Sequence, residues 1–139
     1  MGLSFQEKSL WLIFVSLVGC FGFYFAVVLP PDPDANFVRP DQVVLFAVAV
    51  GFLVIVQIVG HAVIAILDRR ATTDERDRLI GLKGSRNAGF VLATGVACSL
   101  WLAVITTGNF LFTHVLLAFW VLAELVGIAT QLYLHRRGA

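Results

Sequence analysis

Charge is scarce in this chain, and the scarcity excludes more than any motif does. Only 14% of its 139 residues are Asp, Glu, Lys or Arg, against roughly a quarter in an ordinary soluble domain. The apolar residues, 59% of the chain, are gathered into long runs instead of alternating with polar ones, which leaves no separate soluble domain in which a core could form. A net charge of +1 offers no general attraction to nucleic acid, so no such partner is expected. Cysteine is nearly absent. Cys20 and Cys98 both fall inside apolar runs, without CxxC or paired His spacing, and read as small packing residues, neither a redox pair nor a zinc site. There is no HExxH, GxSxG, P-loop or GxGxxG, and Asp32, Asp34 and Asp41 lack the ligand spacing of a calcium loop. Hydrolase and nucleotide chemistry have no support, and the expectation is a non-enzymatic protein without cofactor or metal.

What is present is four segments long enough to cross a hydrocarbon layer of roughly 30 Å, which takes ~20 apolar helical residues. They run from Ser9 to Leu29, Val43 to Leu67, Asn87 to Thr106 and Phe110 to Leu134. Helices are the only elements to consider, because an open sheet edge in lipid leaves backbone groups unsatisfied. The first run exceeds the ~7–15 residues of a signal-peptide core and lacks a small-x-small site before Pro30 and Pro31, so it reads as a span. Gln6 stands where myristoylation wants Ser or Thr. The fold expected is an all-α, single-domain integral membrane four-helix bundle over residues 1–139. Pro30, Pro31, Pro33 and Pro40 stop the first two helices and make their connection irregular. Thr107-Gly108-Asn109 is so short that the third and fourth spans must pack as an antiparallel hairpin.

Lys8, Arg69, Arg70, Arg76, Arg78, Lys83, Arg86, Arg136 and Arg137 fall on one side of a four-span arrangement and Arg39 alone on the other. Basic residues favour the cytoplasm, so both termini and the connection over 68–86 are expected there. Trp11 and Tyr133 then lie near the inner interface and Trp101 in the outer third, where amphipathic rings prefer to sit.

The connection over 68–86 is the one segment with soluble character. Thr72 and Glu75 form a capping box, Asp74 adds negative charge to a first turn and pairs with Arg78 at i+4, and the pattern predicts a short cytoplasmic helix. Leu79, Ile80 and Leu82 give it an apolar side, and Gly81 and Gly84 loosen it before span three. Asp74, Glu75, Arg76, Arg78, Lys83 and Arg86 are therefore candidate partner-binding residues. The stretch from Asp74 to Ala88, with Asp-Glu-Arg-Asp-Arg followed by Leu79, Ile80, Leu82 and Lys83, resembles a motif of small, uncharacterised prokaryotic four-span membrane proteins. The resemblance implies a prokaryotic cytoplasmic membrane and this type of fold; it implies no activity. Gly81 and Gly84 stand where that pattern carries larger residues.

Polar groups deep in lipid are expensive, roughly 2.5–3.5 kcal/mol for a charge at a helix centre. Glu124 lies near the middle of span four with Trp120 one turn before it, and Gln57 lies at similar depth on span two with His61 one turn on. If spans two and four touch, Glu124, Gln57, His61 and Trp120 form one intramembrane polar site, either a proton or cation site or a neutral hydrogen-bonded clasp. His61 and His114 are separated by roughly 15 Å in depth at 1.5 Å per residue, too far to ligate one haem iron. Ser16, Gly19, Cys20 and Phe23, the pair Ala47 and Gly51, and the pair Gly95 and Ser99 provide small-residue faces for close helix contact, within one chain or between chains. The function expected is contact-making: self-association, or a partner in a membrane complex, through these faces or the charged segment. The alternative is a small transporter or channel with Glu124 as its coupling group.

Overall fold

The computed structural model describes residues 5–29, 36–67 and 75–137. They form four helices, α1 (Phe5–Val28), α2 (Pro40–Leu67), α3 (Glu75–Ile105) and α4 (Phe110–Arg137). No strand occurs among the described residues. Each helix is long and apolar enough to cross a membrane: the shortest, with 24 residues, reaches about 36 Å at 1.5 Å per residue.

Local chemistry accounts for the helix ends. Pro40 opens α2, where its fixed φ fits and its missing N–H costs nothing. Gln42 supplies half of a capping box behind it: the Arg39 N–H donates to Gln42 Oε1 at 3.1 Å, while the Gln42 N–H closes a turn on the Arg39 carbonyl at 3.1 Å. Between α3 and α4 the chain turns through Gly108 at φ +85°, a conformation that side chains other than glycine adopt at a cost. The Phe110 N–H donates to the Asn36 carbonyl at 3.0 Å and the Val38 N–H to Asn109 Oδ1 at 2.8 Å. The segment before α2 is thereby clasped to the tip of the α3–α4 hairpin.

The short cytoplasmic helix expected before span three is not a separate element. α3 runs unbroken for 31 residues from Glu75 through Gly81 and Gly84 to Ile105. Gly84 is buried, and a Cβ there would lie 2.7 Å from the Gly127 carbonyl oxygen and 2.7 Å from Gln131 Cγ. Its role is close approach to α4, and packing outweighs the weak helix propensity of glycine. Ile80 is buried while Leu79 and Leu82 face outward, so the expected apolar side is split. Thr72 and Asp74, and with them the capping box and the Asp74–Arg78 pair, lie outside the described residues.

The helices pack in the order α2, α1, α4, α3. α3 and α4 make the most extensive pair, as the short connection requires; α1 touches α2 on one side and α4 on the other. The arrangement is an open row, not a closed bundle. The α3–α4 seam is built of small residues: Gly84, Ala88, Gly95 and Ser99 on α3 meet Gly127 and Phe119 on α4 among others, with Ser99 buried and Gly95 directly under the Phe119 ring. The core proper lies between α1 and α4, where Leu17 and Phe21 pack with Val121, Ile128 and Leu132, and Tyr24 and Val28 with Phe110. Ala47, Gly51 and Gly19, expected to mediate close contacts, are exposed, and Gly51 and Gly19 have nothing within 4 Å of a notional Cβ. The close contact on α2 is instead Gly60, against the Leu12 side chain of α1.

Candidate functional site

The polar groups of the apolar helices do not converge on one site; Gln57, His61 and His114 each bond to α1, and Glu124 joins none of them. α2 and α4 have no close backbone approach because α1 lies between them, and this breaks the expected cluster of Glu124, Gln57, His61 and Trp120. Gln57 turns to α1, where its Nε2 donates to Ser16 Oγ at 2.7 Å. Ser16 in turn donates to the carbonyl of Leu12 at 2.7 Å or of Ile13 at 3.0 Å. His61, one turn along, also faces α1. Its Nδ1 lies 2.8 Å from the Gln57 carbonyl, which can only accept, so Nδ1 carries the proton; in the neutral ring Nε2 then accepts from Ser9 Oγ at 2.6 Å. Gln57 Oε1 is buried and unpartnered among the described residues.

A third rung links α1 to α4 near the opposite end. Tyr24 and His114 are 3% and 4% exposed, with Tyr24 Oη 3.1 Å from His114 Nε2. The rings stack at 6.0 Å and 12°. His114 Nδ1 lies 2.8 Å from the Phe110 carbonyl, so the same reasoning makes it the donor there and makes Tyr24 the donor to Nε2. In the sequence His114 stands out only as too far from His61 in depth to share a haem iron. The signal that finds the pair is height: Tyr24 precedes the end of α1 by one turn and His114 follows the start of α4 by one turn. Tyr24→Phe leaves a buried ring nitrogen without its donor, and a destabilisation of about 1 kcal/mol is expected. Thermal unfolding in detergent, run as a double-mutant cycle with His114→Phe, measures it; additive losses would contradict the bond.

Trp120 and Glu124 lie on another face of α4. Trp120 meets Phe21 edge-on at 5.8 Å and walls a cleft of about 320 Å³ with Tyr24, Gln42, Phe46 and Leu116. Glu124, one turn further and half-way along α4, is exposed and has no hydrogen bond or ion pair among the described residues. A second groove, about 430 Å³ and almost wholly apolar, runs between α1 and α2 past Ser16, Gly19, Cys20 and Phe23. Cys20 and Cys98 are free thiols.

The charged residues expected to form a partner-binding loop occupy the first three turns of α3. Glu75, Arg76, Arg78, Lys83 and Arg86 are all exposed, and Asp74 lies outside the described residues. Asp77, from the same run, was not singled out, yet it joins three helices. Gln6 Nε2 on α1 donates to Asp77 Oδ2 at 3.0 Å, and His135 Nδ1 on α4 is 3.7 Å from Asp77 Oδ1. Beside it Arg136 lies over the Trp11 ring at 5.9 Å, and Arg137 over Tyr133 at 4.7 Å. Comparison with protein-family models, with curated proteins and with solved structures finds no match to this chain.

Proposed function

We propose that this chain is a small, non-enzymatic integral membrane protein of a prokaryotic cell membrane. Both termini and the 68–86 connection lie in the cytoplasm, and the protein acts by pairing with a second copy of itself in the bilayer. The nine-to-one distribution of basic residues supports the orientation, and the resemblance of the segment over 74–88 supports the setting. The observation that carries the pairing is Glu124, exposed half-way along α4 with no hydrogen bond or ion pair among the described residues. A carboxyl group facing lipid at that depth is costly whether charged or neutral, and covering it relieves the cost. A second copy is the simplest cover: across a two-fold axis the same face meets itself, and two carboxyl groups sharing protons satisfy each other without a matching cation from elsewhere. The open row of helices, with the Trp120 cleft beside Glu124, leaves that face accessible.

Single-molecule photobleaching in liposomes over a range of protein-to-lipid ratios tests the reading. The parent protein is expected to dimerise. Glu124→Gln, which keeps a hydrogen-bonding pair, should retain the dimer, while Glu124→Leu should weaken it about three- to fifteen-fold, the range of one interhelical hydrogen bond. A parent protein that stays monomeric at every ratio, or co-purifies stoichiometrically with a different chain, would sink it. Nothing in the geometry favours the transporter reading over this one, since Glu124 is exposed and bonds to neither Gln57 nor His61.

A further inference from the structure

Where α3 enters its apolar stretch and α4 leaves its own, a recess of about 480 Å³ opens on the surface beside the close Gly84–Gly127 contact. Its walls are Lys83, Arg86, Asn87, Thr130, Tyr133 and Leu134. We infer that this recess binds the phosphate head group of an anionic phospholipid.

Four observations converge on that ligand. The first is height. Asn87 begins the apolar run of α3 and Leu134 ends that of α4, so in a chain that spans a bilayer the recess lies where hydrocarbon gives way to head groups. The second is charge. Lys83 and Arg86 are exposed and neither has an ion pair or hydrogen bond among the described residues. Arg137 rests on the ring of Tyr133, a wall residue, at 4.7 Å, and no carboxylate lines the recess. The third is the floor. Asn87 Nδ2 donates to Thr130 Oγ1 at 3.2 Å, and Thr130 Oγ1 donates to the Val126 carbonyl at 2.8 Å. The hydroxyl proton is thus spent, and the amide nitrogen keeps one N–H for a phosphate oxygen. The fourth is polarity. Polar and apolar surface are nearly equal in the recess, whereas the α1–α2 groove is almost wholly apolar. A head group with an acyl chain leaving along Leu134 matches such a mixed lining, and basic pockets between helices at this level suit anionic lipid.

The inference rests on the membrane-spanning part of the proposed function and not on dimerisation. Extraction of membranes at alkaline pH checks the spanning part separately: a chain released there would overturn that reading first. For the site itself, the full-length protein is purified in detergent and offered phosphatidylglycerol, phosphatidylcholine or inorganic phosphate, with bound lipid counted by native mass spectrometry. One phosphatidylglycerol is expected to be retained about tenfold more strongly than phosphatidylcholine. Lys83→Ala with Arg86→Ala should erase that preference, while Arg39→Ala with Arg78→Ala, an equal change in charge away from the recess, should leave it. Circular dichroism on both variants separates loss of binding from loss of fold. Equal retention of the two lipids, equal loss in both double variants, or displacement of the lipid by millimolar inorganic phosphate would overturn the assignment.

Discussion

Gly95→Leu is expected to destabilise the protein by about 3 kcal/mol, the upper part of the range for overpacking a close contact. A Cβ on residue 95 collides with Cβ of Phe119 and with its ring, and a Cβ is fixed by the backbone, so no rotamer change on either side removes the clash. The axes of α3 and α4 must separate, and the contacts above and below, at Ser99 and at the Gly84–Gly127 crossing, loosen together. Gly51→Leu is the control: it makes the same change in side chain on a helix of similar character, with nothing within 4 Å of its Cβ. Its expected effect on the monomer is within about 0.5 kcal/mol, as for surface substitutions generally. Thermal or denaturant unfolding of both variants in one detergent decides the matter, and equal losses would mean that the seam does not hold the hairpin together.

Phe21→Ala should cost about 2 kcal/mol, for a different reason. Phe21 is 1% exposed and is held between Phe46 of α2 at 6.3 Å and Trp120 of α4 at 5.8 Å, so its ring braces the middle of the row. In water the loss would include the transfer of a large apolar group, giving roughly 3–5 kcal/mol. If the helices span a bilayer, as proposed, separated helices face an equally apolar solvent, and that part vanishes. What is left is the cavity: roughly 100 Å³ at ~24 cal/mol per Å³ gives the figure stated. Phe21→Leu, filling most of the space, should recover over half of the loss. Phe23→Ala, on an exposed ring of the same helix, should cost little. If Phe23→Ala proved as damaging as Phe21→Ala, the packing order around α1 would be wrong.

Much of the fold was readable from the chain because length and apolarity are one-dimensional properties. The four long apolar helices and the α3–α4 hairpin follow from run lengths and a short loop, and the helices lie where those runs do; residues 30–35 of the proline-bounded connection lie outside the described residues. Azimuth was another matter. A helix that is apolar all round carries no amphipathic stripe to mark its inner face, so Gln57 and Glu124 could be matched in depth but not in direction. Supposing that α2 and α4 touch placed them together, whereas the intervening α1 sends Gln57 to Ser16 and leaves Glu124 outside. Gly84 failed for a related reason. Glycine weakens an isolated helix, yet the same missing side chain admits α4, and only the partner helix tells which effect decides. The Asp77 junction with Gln6 and His135 joins residues far apart along the chain, and no local spacing announces it.

The order of packing also bears on how the protein is made. Synthesis delivers α1 first and α4 last, and domains generally take shape from the N-terminal end as the chain emerges. α2 finds its neighbour at once, since α1 is already present. α3 approaches neither of them along its backbone and touches α1 only through the Asp77–Gln6 hydrogen bond at its start; it must wait for α4, which arrives last and alone packs along both α3 and α1. Assembly therefore ends, and does not begin, with the largest helix contact in the molecule. Until then Asn87 and the buried face of α3 lack the helix they pack against, which makes the interval before α4 emerges the moment at which a foreign helix could most readily capture α3.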